Sequence, residues 1–109
     1  MAFSGGGSHG TLNGTTPVEI APTPGVGVER FVRAMYINND SGESVVVTLS
    51  KYVSGTDYDI CSISLRDGDV LQFGDGDHVI LGNGETIRAV LSTNPAVNPD
   101  YVVSWGDRS

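Results

Sequence analysis

The sequence predicts an all-β protein, a small antiparallel β-sandwich or jelly-roll-like domain preceded by an extended Gly-rich N-terminal arm. Three observations carry this. Apolar side chains alternate with a period of two in run after run, as they do in half-buried strands. Clusters of Gly, Asn, Asp, Ser and Pro interrupt those runs about every ten residues. Apolar residues never hold helical spacing for about three turns without a glycine or a turn cluster breaking it.

The chain divides at residue 16. Residues 1–16 contain Gly5, Gly6, Gly7, Gly10 and Gly14 among Ser, Thr and Asn, with Phe3 and Leu12 as the large apolar side chains. Glycine loses the most backbone entropy on ordering and brings nothing to a core, so this stretch is expected to be a flexible arm, ordered only against a neighbouring subunit. Phe3 and Leu12 would be its anchors. Residues 17–109 form the sandwich domain. It opens with Pro17-Val18-Glu19-Ile20 and a first loop, Pro22-Thr23-Pro24-Gly25-Val26-Gly27, before the long alternating run from Val28.

In that run Phe31, Arg33, Met35 and Ile37 oppose Val32, Ala34, Tyr36 and Asn38, and neither face is wholly polar. Asn39-Asp40-Ser41-Gly42 turns the chain into Ser44–Tyr52, so the two runs read as a hairpin. Ser54-Gly55-Thr56-Asp57 turns it again into Tyr58–Leu65, and Arg66-Asp67-Gly68 leads to a short strand at Asp69–Phe73. After Gly74–Asp77 come His78–Leu81, the turn Gly82-Asn83-Gly84 and a strand from Glu85 to Thr93. The loop Asn94–Pro99 precedes a last strand, in which Tyr101, Val103 and Trp105 share the inward face.

Composition narrows the function. Thirteen acidic against six basic side chains give a net charge of −7, and the cations are scattered, which argues against a nucleic-acid partner. No apolar run is long enough to cross a bilayer, and the first residues lack the pattern of a signal peptide, so no membrane is expected. Cys61, the single cysteine, is expected to be a small half-buried strand residue. With no internal disulfide, a chain this small must be held by its core or by association with other chains.

Chemistry-bearing motifs are lacking. His9 falls in the arm and His78 beside a turn, and no nucleophile-elbow, zinc or phosphate-loop signature occurs. An enzyme is not expected, nor a cofactor. Asp67/Asp69 and Asp75/Asp77 resemble the start of a calcium loop, but the positions that should hold the later ligands carry Leu71 and His78 or Val79 and Thr86. They are read as turn residues, and no metal is expected. Tyr36, Tyr52, Tyr58, Tyr101 and Trp105 could offer a sugar-stacking platform, although most should serve the core.

Several segments taken together resemble small virion structural proteins of tailed bacteriophages. They are Thr11-Leu12-Asn13-Gly14-Thr15-Thr16-Pro17-Val18, Met35-Tyr36-Ile37-Asn38-Asn39, Val47-Thr48-Leu49, Leu65-Arg66-Asp67-Gly68-Asp69, Ile87–Leu91 and Trp105-Gly106-Asp107. The likeness spans nearly the whole chain and consists of turn and strand patterns. It implies a non-enzymatic component of the virion. Mixed strand faces and the exposed apolar residues Val26, Val28 and Val97 suit a homo-oligomer, with a trimer favoured. The first expectation is a capsid decoration (cement) protein that touches the major capsid protein through Phe3, Leu12, Pro22, Pro24, Val26 and Val28. The alternative is a neck or tail accessory or fibre-base module, binding a receptor or glycan through the loops at Asn39–Gly42, Gly74–Asp77 and Asn94–Pro99.

Overall fold

A computed structural model of the chain describes residues 3–74 and 79–109, with the side chain of Phe3 outside that description. Its strands are β1 (Phe3–Thr11), β2 (Val18–Ala21), β3 (Glu29–Asn38), β4 (Val45–Val53), β5 (Thr56–Leu65), β6 (Val70–Phe73), β7 (Val79–Leu81), β8 (Glu85–Leu91) and β9 (Asp100–Arg108). One sheet runs β1-β9-β3-β6, with β7 also paired to β3; the other runs β2-β8-β4-β5. Every pairing is antiparallel, and no helix occurs among the described residues. The two sheets pack as a β-sandwich.

Its core is built from the inward side chains that the alternation picks out. Ile20, Met35, Ile37, Leu49, Leu81 and Ile87 are fully buried between the sheets, joined by Val32, Val47 and Val103. Tyr101 and Val103 face inward as expected, and Trp105 packs against the rim of the core, half-buried.

Three expectations change. Residues 39–44 do not join a hairpin: β3 and β4 belong to different sheets, so this turn carries the chain across the sandwich. Within β3 the period breaks once. Val32 stands opposite Trp105 and Ala34 opposite Ser104, leaving Arg33 as the extra residue of a β-bulge. The bulge shifts the phase, so Val32 and Met35 are both buried although they lie three residues apart.

The largest change concerns the glycine-rich segment. Phe3–Thr11 is not an appendage but β1, paired with β9 of the same chain from Phe3↔Arg108 to Thr11↔Asp100. Its glycines answer to β9. A Cβ on Gly6 would come within 2.7 Å of the Trp105 indole nitrogen, one on Gly7 within 2.7 Å of the Val103 carbonyl oxygen, and one on Gly10 within 2.9 Å of the Tyr101 hydroxyl. The aromatic rings of β9 thus take the space that side chains on β1 would fill. Leu12 then enters the core at 2% exposure.

Candidate partner-binding surface

The Pro22–Val28 loop enters β3 at one end of the sandwich, and its form is fixed by its neighbours. Arg30 donates from Nη1 to the Pro22 carbonyl oxygen (2.7 Å), while its Nε and Nη2 grip both carboxylate oxygens of Asp107 at 2.8 and 3.0 Å. Its guanidinium also lies 4.2 Å from the centre of the Trp105 ring. A bidentate, stacked arginine of this kind holds one geometry. From the other side, Asn83 Nδ2 donates to the Pro24 carbonyl oxygen (2.9 Å), and the Gly84 N–H donates to Thr23 Oγ1 (2.6 Å). Val28 N–H closes the loop onto the Gly25 carbonyl oxygen at 3.1 Å, helped by Gly27 at a φ of 77°.

At the tip of this braced loop stands Val26, 88% exposed. Pro22 and Val28 are half-buried beside it, whereas Pro24 is buried and serves the loop's own packing. Of the six residues expected to meet a partner, then, Val26, Val28 and Pro22 share one surface. Leu12 and Pro24 do not belong to it, because each has its apolar surface covered within the domain. The Phe3 side chain lies outside the described residues.

Beside the loop, on the outer face of the β2-β8-β4-β5 sheet, is a groove of about 510 Å³ bordered by Glu19, Thr23, Tyr52, Thr86 and Arg88. Arg88 lies over the Tyr52 ring at 4.5 Å and reaches Asp57 at 3.7 Å, so one face of that ring is already occupied. The Thr86 hydroxyl is buried beneath with no hydrogen-bond partner among the described residues. Glu85 binds Lys51 at 3.2 Å and accepts the Gly82 N–H at 2.9 Å. That N–H holds its carboxyl below the usual carboxylate range, with Lys51 adding to the effect against the opposing pull of burial. Sequence patterning cannot find this groove, whose walls come from strands far apart in the chain.

Several other chemistry-bearing residues among those described have structural partners. Asp67 accepts the Gly42 N–H (3.0 Å) and Asp69 the Arg66 N–H (2.8 Å), so both carboxylates staple turns. Asp75, Asp77 and His78 lie outside the described residues. Cys61 is half-buried opposite Leu49, and burial raises its thiol pKa, disfavouring the reactive thiolate. Among the described residues, Tyr36 and Tyr58 are the exposed aromatics, at 36% and 60%. In the Asn94–Pro99 loop, Asn94 and Asn98 accept the N–H groups of Thr15 and Gly14, so the Thr-Leu-Asn-Gly-Thr segment acts as packing for that loop. Asn39, expected as a turn residue in a candidate receptor-binding loop, is fully buried.

No family model matches the chain, and no curated protein matches it. Solved structures do. A chain from Bacillus endospore appendages, described as a novel family of disulfide-linked pili, aligns over 96% of this chain and 85% of its own, at 17% identity and a TM-score of 0.57. A chain from a cyanophage Pam1 capsid asymmetric unit aligns over 97% of this chain and 82% of its own, at 15% identity and a TM-score of 0.36. At such identities the first likeness is one of fold.

Proposed function

We propose that this chain is a non-enzymatic structural protein of a bacteriophage virion, a capsid decoration protein that seats on the outer surface of the major capsid protein. The observation that carries this reading is the Pro22–Val28 loop, with Val26 88% exposed on a mount braced by Arg30, Asn83 and Thr23. An apolar side chain held rigidly in water forfeits burial that a partner's pocket would restore, and the loop loses little further entropy on docking. The resemblance of the strand and turn segments to small virion proteins supports the same reading. So does the net charge of −7, which suits an outward face and repels packaged DNA. The fold it shares with a protein of pili is compatible with assembly by many copies. Cys61 alone cannot link a subunit by disulfides to two neighbours, so a chain of such subunits would need at least one non-covalent contact per subunit.

The exposed rings of Tyr36 and Tyr58 favour a second reading, a neck or tail accessory module whose aromatics stack on a glycan. Two measurements separate the two. Quantitative mass spectrometry of purified particles should find copies on the scale of the major capsid protein for decoration, and far fewer for a neck or tail part. Val26→Asp should abolish binding to capsids lacking the protein while leaving the domain folded; full occupancy by the variant would rule out the loop as the seat. Deleting residues 1–16 is a poor test, since it removes β1 and a core leucine together.

A further inference from the structure

Four strand edges bound the two sheets, and they are unlike one another. β2 has four residues and a register break between Glu19 and Ala21, and β6 and β7 have four and three. Edges this short make poor templates for another strand. β1 and β5 are long, with nine and ten residues, β5 holding its register with β4 on either side of one bulge at Ile60, and each pairs on one side only among the described residues. Every second residue of an edge strand turns its N–H and C=O outward, so both edges offer unmet backbone groups. β1 contains no lysine and no proline, and its register with β9 is unbroken, although its Ser8 hydroxyl donates to the Ile20 carbonyl oxygen of neighbouring β2.

We propose that copies of this chain join head to tail, with the free edge of β1 in one copy pairing with the free edge of β5 in the next. The inference rests on reading the chain as a subunit of an assembly, and it names the contact. Three features favour β1 on β5 over either strand on its own kind. The edges lie on opposite flanks, because β1 packs beside β2 and β5 is the far strand of the sheet that β2 begins. They also run in the same sense, since β1 is parallel to β3 through β9, the turn at 39–44 reverses the chain into β4, and β5 reverses it once more. Neighbours placed side by side therefore present one edge to the other without inversion, as a heterologous contact requires.

Shape matches as well. Four of the nine residues of β1 are glycine, and a Cβ on Gly5 would meet nothing within 4 Å. β5 carries Tyr58, Ile60 and Ile63, respectively 60%, 37% and 37% exposed. Ser4 and Gly5 border a hollow of about 450 Å³ with Arg33 and Trp105, space in which side chains beside the β5 edge could be received.

The experiment uses the full chain and two single-edge blocks. Gly5→Lys places a charge on the β1 edge where there is room for it, and Ile60→Lys does the same at the exposed bulge of β5; if Ile60→Lys unfolds the domain, Tyr58→Lys replaces it. Sedimentation velocity on the wild-type chain should show association that grows with concentration. Each variant alone should dissociate at least about tenfold more readily. Mixed together they should form a one-to-one complex and nothing larger, because each supplies the edge the other has lost. A wild-type chain that stays monomeric, variants that associate like wild type, or a mixture that forms no complex would each overturn the pairing. The virion reading fails on a different measurement, the absence of the protein from purified particles.

Discussion

At its Asn38 end, β3 runs into Asn39, a fully buried side chain whose polar groups are all engaged. Its Nδ2 donates to the carbonyl oxygens of Glu43 (2.9 Å) and Leu65 (3.0 Å), and its Oδ1 accepts the Ser41 hydroxyl (2.6 Å) and N–H (3.2 Å). Its backbone N–H donates to the Asp69 carbonyl oxygen while its own carbonyl accepts the Gly68 N–H. At the Glu29 end of the same strand, the Pro22–Val28 loop is braced as firmly, yet its apolar tip is left in water. Both ends are ordered by side-chain bonds to backbone. The first order is consumed by the fold, which needs the crossing between sheets closed; the second holds Val26 out for something else.

Breaking the first end should have the largest effect on stability. Asn39→Ala leaves the Leu65 and Glu43 carbonyl oxygens and the Ser41 hydroxyl without this partner and opens a void, at an expected cost of about 3 kcal/mol in urea denaturation. Loss of that size should not alter what the Val26 loop recognises in the molecules that remain folded. At the other end, Arg30→Lys keeps the charge but loses the two-pronged grip on Asp107 and the stacked geometry over Trp105. The pair is mostly shielded from solvent, with side-chain exposures of 12% and 19%, so about 2 kcal/mol is expected. Unlike Asn39→Ala, this change should also weaken attachment to the partner in protein that is still folded, because it frees Pro22.

How much of these two ends can be read from the sequence differs for a physical reason. Val26 is legible: an apolar residue between glycines in a Pro-rich loop has nothing local to cover it. The strands are legible too, because their alternation is a local pattern. Asn39 reads as a turn residue, which it is, but its burial depends on β5 and β6 closing over it. Arg33 shifts the phase of β3 without leaving a mark in the alternation, since a bulge is a property of the pairing with β9. The β1 glycines mislead most. Glycine next to glycine suggests an unstructured arm, and the cause of Gly6 and Gly10 stands at the far end of the chain in Trp105 and Tyr101, which occupy the cross-strand positions. Of the candidate surface, the loop can therefore be read from the chain alone, while its Arg30 mount and the groove beside it cannot.

Acid should loosen the second end. Glu85 accepts the Gly82 N–H at the base of the turn that carries Asn83 and Gly84 to the Pro24 and Thr23 brace. Its carboxyl is held below its ordinary value, so the stability it contributes is fully present above the unfolded value of 4.5 and is lost as pH falls through the lower folded value. Denaturation followed as a function of pH should show this loss as a steeper acid limb in the wild type than in Glu85→Gln. A limb unchanged by the substitution would mean that other carboxylates carry the acid response.

The smallest effect on stability is expected at Val26 itself, and that smallness is what separates the two ends. A side chain 88% exposed contributes almost nothing to the packing of its own domain, so Val26→Asp should change the unfolding free energy by less than about 0.5 kcal/mol. The same substitution places a charge where a partner's apolar pocket would close, and there its desolvation opposes binding strongly. A variant with a wild-type denaturation curve and no attachment would show that the brace around Pro22–Val28 serves presentation. A variant that lost stability in step with attachment would mean that Val26 already packs against its own domain, and the contrast between the ends of β3 would disappear.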